Sequence, residues 1–357
     1  MRIGIITGTM PDIIKQAPLV WEAESRGHEV ILIHSGQHLD DIRFKEIAIS
    51  IGLRSPDILY SNNEWNIPLA IHWFSQNLIL NPPLDIVLPH GDTTTSMIAS
   101  VIAHYNNIPV GHVEAGLRTG SREPWPEQTN TRISDACSNL FFAATDRNYY
   151  DLIHEGFKRE NITICGNTVI DIAKKIASSF SKIVTNKVYF SAHREENMRF
   201  KERVKNIVLF ANFLADEGLE VQWVLRPKAD RMLDEYEFKR DERINYIKGL
   251  PYTESIRLIN ESLFVCTDSG GLQEESSALH VPCLTMRYVT DRPETVEVGC
   301  NIITTLDIKK MKDAYYQMRR EHGQMSSKKC PYGDGNTAQK IIDFIEYRKN
   351  NLITWEK

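Results

Sequence analysis

The chain has 357 residues, is 42% hydrophobic and 25% charged, and carries a formal net charge of -5. That length suits two ordinary domains, and that composition excludes disordered and fibrous classes. The negative balance gives no field to gather nucleic acid, and no run reaches the roughly 18 apolar residues that span a bilayer. The expectation is a cytoplasmic protein without nucleic-acid or membrane partners.

Short apolar runs at 2–7, 29–34, 85–89, 109–113, 140–143 and 162–165 alternate with amphipathic stretches. Strand and helix in alternation predict a parallel sheet with right-handed crossovers. The rhythm restarts at 188–192 and continues at 221–225, 244–247, 263–267, 282–286 and 302–305. The fold class is therefore α/β, with two Rossmann-like domains facing a cleft. The joint is expected between Gly166 and Lys187, giving domains at 1–170 and 171–340. Ile341, Ile342, Phe344 and Ile345 repeat at helical spacing, so a helix is expected over 337–350, with the 341–357 end packing back on the first domain. Six widely spaced cysteines without a CxxC pair read as buried thiols, not as a zinc or disulfide framework.

The first strand ends in Gly8-Thr9-Met10-Pro11-Asp12 and runs into Ile13-Ile14-Lys15, a turn opening on a helix N-terminus whose amides attract anions. A simple helix start reads equally well, and the glycines do not form a dinucleotide fingerprint. Asp92 follows the strand at 85–89, at a carboxyl edge where open α/β sheets bind ligands; capping the next helix is the alternative role. Glu114 ends the strand at 109–113 beside Gly116, and Glu127 sits in the Pro-stiffened Pro124-Trp125-Pro126-Glu127-Gln128 loop. Three converging acids would raise the pKa of one and suit it to proton transfer. Pairing with Arg118, Arg122 or Arg132 would leave them structural.

In the second domain His193 and Arg194 end the first strand, which aims His193 at the cleft. Thr267-Asp268-Ser269-Gly270-Gly271-Leu272-Gln273-Glu274-Glu275 reads as strand, small-residue turn and helix start. Amides from Ser269 to Gly271 can cradle a diphosphate while Glu275, one turn on, reaches ribose hydroxyls. Asp291-Arg292-Pro293 adds a cation on a rigid loop, or a surface ion pair.

Taken together, GTMPDIIKQAP, HGDTTT, GHVEAGLRTG, PWPEQ, GNTVID, AHREEN, TDSGGLQEE, DRPETVEVG and PYGDG resemble, in order, the non-hydrolysing UDP-N-acetylglucosamine 2-epimerase family from residue 2 to about 345. The resemblance implies the glycosyltransferase-B architecture and a reaction without redox cofactor or metal. It inverts C2 of the sugar by anti elimination of UDP to a 2-acetamidoglucal, then re-adds UDP. Asp92, Glu114 and Glu127 match the family's catalytic carboxylates and His193 its active-site histidine. Lys15 matches a phosphate-side cation, Ser269, Gly270, Gly271 and Glu275 the UDP turn, and Arg194 and Arg292 lie close by. UDP-N-acetylglucosamine is the implied partner and a homodimer the implied assembly.

Four positions depart from the family pattern: Met10 replaces arginine, Asp12 glutamate, Gln128 the second glutamate after Pro126, and Arg226 a common histidine. The family's activating second-sugar segment is represented by Gln37-His38. Other readings remain: a hydrolysing relative releasing N-acetylmannosamine and UDP, an epimerase for a UDP-diacetamido sugar, or a nucleotide-sugar binder without catalysis. A true glycosyltransferase shares the fold but would not need this set of acids.

Overall fold

The computed structural model describes residues 1–37, 41–61, 63–119, 125–183 and 185–349, without the side chains of 41–44. His38, Arg122, Pro124 and the tail from Asn350 lie outside the described residues. The chain divides into two compact units, Met1–Ile172 with the segment from Tyr332 onward, and Ala173–Pro331. The chain thus returns to the first unit at Tyr332, before the expected 340/341 boundary.

In the first unit the strands are β1 Arg2–Thr7, β2 Glu29–His34, β3 Ile58–Leu59, β4 Ile86–Leu88, β5 Gly111–Ala115, β6 Leu140–Ala143 and β7 Ile162–Ile164. β1 reads Arg-Ile-Gly-Ile-Ile-Thr, and Ile3, Ile5 and Ile6 are at most 1% exposed. A strand buried on both faces needs such a continuous apolar run, as parallel sheets do. The order is β3-β2-β1-β4 followed by β5-β6-β7, all pairs parallel. Val87 N donates to Pro109 O at 2.8 Å and Val113 N to Pro89 O at 3.0 Å, which ties β4 to β5.

The second unit carries β8 Lys187–Ser191, β9 Glu220–Leu225, β10 Asn245–Lys248, β11 Phe264–Thr267, β12 Cys283–Thr285 and β13 Asn301–Ile303. Their parallel order is β10-β9-β8-β11-β12-β13, which within this unit is third, second, first, fourth, fifth, sixth. That is the Rossmann order, and each such sheet has a switch point where the winding reverses. It falls between β1 and β4 in one unit and between β8 and β11 in the other. The second core packs Phe190, Trp223 and Phe264 with Leu284 and Met318, the Phe190 and Trp223 rings standing 4.7 Å apart. Each such side chain contributes about 1.5–3 kcal/mol on burial.

After β1, helix Met10–Ser25 starts with a capping box: Thr9 accepts from Asp12 N, and Asp12 Oδ2 accepts from Thr9 N at 3.0 Å. Buried Gln16 then donates to both Ile6 O and Leu88 O, fastening this helix under β1 and β4. Helix Thr337–Arg348 packs on it with Ile341, Ile342 and Ile345 fully buried. Arg26 adds ion pairs to Asp343 at 2.6 Å and Glu346 at 2.9 Å. Tyr332 O accepts from Asn167 N at 2.8 Å, so the returning chain re-enters beside the departing one.

All six cysteines are free, and Cys165, Cys266, Cys283 and Cys300 are buried. Among the described residues no helix is long and apolar enough to cross a membrane.

Candidate functional site

The switch points decide where the chemistry-bearing side chains stand. In the first unit Lys15 lies on the helix after β1, Asp92 follows β4, and Glu114 sits near the end of β5. Glu114 takes φ +65°, a left-handed conformation for a residue with a Cβ, and the β5–β6 register shifts between Val113 and Ala115. Such a backbone costs on the order of 1–3 kcal/mol and persists only where surrounding contacts hold it.

Those contacts are specific. Glu114 Oε2 accepts from Lys15 Nζ at 2.9 Å, Oε1 accepts from Asn167 Nδ2 at 3.0 Å, and His90 Nε2 lies 3.3 Å from Oε2. The other ring nitrogen of His90 faces Asp12 Oδ1 at 3.7 Å. Glu114 is 8% exposed, so its charge is compensated inside the protein. The cation paired with it is Lys15. Arg118 pairs with Asp135 and Glu155, and Arg132 with Glu155.

Asp92 does not cap the helix that follows it. Thr93 does, accepting from Ser96 N at 3.1 Å, and Asp92 beside it is half-buried. Asn130 Nδ2 donates to Asp92 O at 3.0 Å, tying that turn to helix Glu127–Ala136. Glu127 opens the same helix, and its Oε2 is buried without a hydrogen-bond partner among the described residues. A carboxylate oxygen in that state has capacity to spare for a ligand or proton. The expected Met10 stands at the first position of its helix, half-buried.

In the second unit His193 and Arg194 follow β8. Both backbone amides donate to buried Asp268, at 3.0 and 2.9 Å to Oδ2, and Asn197 Nδ2 adds a third bond at 2.9 Å. The imidazole itself makes no such bond: His193 Nδ1 is 3.6 Å from Asp268 Oδ1 and is buried without a hydrogen-bond partner among the described residues. Burial chiefly pushes its pKa below the ordinary value, Arg226 and Arg194 push the same way, and Asp268 opposes them. A histidine kept neutral in this way can accept a proton or a hydrogen bond.

Helix Gly270–Ala278 follows β11, and its N-cap Ser269 makes no side-chain cap bond. The amides of the first turn therefore stay available to an anion, although Ser269 N itself donates to Thr267 Oγ1 at 3.0 Å. A Cβ on Gly271 would meet nothing within 4 Å, whereas one on Gly270 would lie 3.3 Å from Asp291 Oδ2. Glu275 is buried beside Tyr252 and Tyr189; burial first and this carboxylate second push both phenols up, Tyr189 to about 12. Arg292 is held by Glu274 Oε1 at 2.5 Å. Asp291 bridges Arg287 at 2.7 Å and Arg194 at 3.4 Å. Burial would raise the Asp291 carboxyl, but Arg292, Arg287 and Arg194 hold it well below the usual range.

Sequence reasoning missed the residues that support these side chains: His90, Asn167 and Asp135 in the first unit, Asp268 and Asn197 in the second. His90 and Asp268 open the turns that were singled out, so their position was the available signal. Asn167 and Asn197 lie within the GNTVID and AHREEN motifs; Asp135 gave no signal.

A family model for UDP-N-acetylglucosamine 2-epimerase matches residues 22–346. A Campylobacter jejuni UDP-N-acetylglucosamine 2-epimerase is 34% identical, covering 98% of each chain. One from Methanocaldococcus jannaschii is 32% identical over 98% of this chain and all of its own. The solved M. jannaschii enzyme in complex with UDP-GlcNAc and UDP superposes with a TM-score of 0.84 at 30% identity, covering 97% of this chain and 100% of that one. The Neisseria meningitidis enzyme bound to UDP-GlcNAc gives 0.79 at 25%, with 97% and 100% covered. Two Rossmann-like units in one chain match the glycosyltransferase-B-like class of these structures. With a family model matching residues 22–346 and relatives 32–34% identical along 98% of its length, the chain belongs to the UDP-N-acetylglucosamine 2-epimerase family.

Proposed function

We propose that this chain is a non-hydrolysing UDP-N-acetylglucosamine 2-epimerase producing UDP-N-acetylmannosamine for surface polysaccharide synthesis. The observation that carries the reading is Glu114, an acid kept at positive φ against Lys15 beside a sheet switch point, in a chain similar to 2-epimerases along 98% of its length. The reaction needs a base for a weakly acidic C–H and a place for a departing diphosphate. The base takes the C2 proton, the C–H pair becomes the C1–C2 double bond, and UDP leaves with the C1–O pair. Return of UDP oxygen to C1 and of a proton to the opposite face of C2 completes the inversion.

Asp92, Glu114, Glu127 and His193 are the proposed catalytic groups. Lys15 pairs with Glu114. The Ser269-Gly270-Gly271 turn takes the diphosphate, Glu275 the ribose, and Arg194 and Arg292 supply positive charge beside it. The Ile13-Ile14-Lys15 sequence after the first turn resembles the non-hydrolysing branch and favours retention of UDP.

The test is proton NMR of UDP-N-acetylglucosamine with the protein in deuterated buffer. Deuterium at C2 and the manno epimer, without free UDP accumulating in step, is the expected result. Free N-acetylmannosamine and UDP in equal amounts would make the enzyme a hydrolase, and neither exchange nor epimer would sink the reading.

A further inference from the structure

Behind the acids of the first unit lies a hydrogen-bonded pair that none of the proposed roles uses. His112 and Asp135 are both 0% exposed. His112 Nδ1 meets Asp135 Oδ1 at 2.6 Å, and His112 Nε2 donates to Gly91 O at 2.7 Å. Asp135 Oδ2 accepts from Gly116 N at 3.3 Å and pairs with Arg118 at 2.8 Å.

The placement of these bonds is what matters. His112 and Gly116 stand two residues either side of Glu114, so one carboxylate grips both flanks of the residue held at φ +65°. Gly91 is the residue before Asp92, takes φ +66°, and is close enough to Glu114 that a Cβ there would lie 3.5 Å from its Oε2. Rotation of the Gly91–Asp92 peptide would swing both the Asp92 side chain and the wall against Glu114. With both ring nitrogens of His112 engaged, the imidazole is a rigid strut between Asp135 and that peptide.

We infer that Asp135, acting through His112, is a positioning residue that sets Asp92 and Glu114 relative to each other for proton transfer at C2. The inference rests on the proposed function, because it gives those two acids their task. Neither Asp135 nor His112 reaches solvent, so neither touches substrate; they act on the geometry of groups that do.

The experiment compares wild type, Asp135→Asn and Ile162→Ala in the C2-exchange assay, with UDP affinity and Tm measured on each. An asparagine keeps one acceptor oxygen where aspartate has two, so the contacts to His112, Gly116 and Arg118 cannot all be kept as they are. Ile162→Ala loosens the apolar packing of the same sheet without touching the polar pair. The expected result is a kcat for exchange about 10- to 100-fold lower in Asp135→Asn, with KM and UDP affinity within about threefold. Ile162→Ala should lose Tm while keeping kcat. Equal kcat in the two variants at matched loss of Tm, or full activity in Asp135→Asn, overturns the inference.

If Asp135→Asn does not fold, His112→Gln cuts the same link and carries the same expectation. Failure of both variants to fold would make the pair a fold determinant only and overturn the positioning role. Wild type without C2 exchange would overturn the functional reading and this inference with it; an active wild type beside an active Asp135→Asn overturns the inference alone.

Discussion

Lys15 Nζ lies 2.9 Å from Glu114 Oε2, with the two side chains only 13% and 9% exposed. The acid at the strand end therefore carries its own counter-ion, delivered by the helix after β1. Replacing Lys15 by methionine leaves a buried charge with the Asn167 hydrogen bond but without its paired cation. The expected cost is about 3 kcal/mol, towards the low end for a broken buried pair, read as a lower urea midpoint. Epimerisation should fall with it, and Lys15→Arg should recover most of the stability. An unchanged urea midpoint in Lys15→Met would show that the pair does not bear on folding.

His193 titrates below the ordinary histidine value, chiefly through burial. If the neutral ring is the working form, kcat/KM should fall on the acid side with a midpoint below that value, and His193→Asn should lose that limb. The sign for stability follows: the unfolded chain binds the proton more readily, so stability is lost as pH falls through the window between the two values. Urea melts across that window should show wild type losing stability towards acid pH while His193→Asn, whose side chain does not titrate, stays flat. An acid limb that survives in His193→Asn assigns it to another group.

Gly271 separates binding from folding. A methyl there meets nothing within 4 Å, and alanine suits a helix better than glycine. Gly271→Ala should therefore hold or slightly raise Tm, yet weaken UDP binding by about tenfold, or ~1.4 kcal/mol, by crowding the anion turn. Isothermal titration with UDP checks it. Unchanged affinity would remove this turn from the diphosphate site.

Helix Thr337–Arg348 offers a contrast of mechanisms. Ile342→Ala empties a fully buried position and should cost about 2–5 kcal/mol. Arg26→Ala breaks pairs to Asp343 and Glu346 that are 53% and 38% exposed, and should cost no more than about 1 kcal/mol. Denaturant melts of the two variants should rank in that order.

The strands were legible because parallel sheets demand continuous apolar runs, and 2–7, 29–34 and 140–143 coincide with β1, β2 and β6. β3 escaped, being Ile58–Leu59 alone. β5 reaches Ala115, past the expected end at Val113, because Glu114 reads as the polar start of a turn when it is buried in the strand. Asp92, His193 and Ser269 drew attention as candidates because they follow strands, whereas Glu127 and Lys15 did so through their loop and helix motifs and the family resemblance. Their supports were not visible, since the Asp268–His193 and Asp135–His112 contacts join residues 75 and 23 positions apart. Nor could composition say that Thr93, and not Asp92, would cap the next helix.

Asn167 N bonds to Tyr332 O where the chain leaves the first unit and where it comes back. Topologically, the second unit is a guest inserted into a host, its two ends leaving from one spot. Ala173–Pro331 is one uninterrupted stretch of chain, so the second unit can be excised with two cuts. The first unit cannot be obtained by truncation from either end. It requires a splice across neighbouring ends, and the Asn167–Tyr332 bond marks where a short joint would reach.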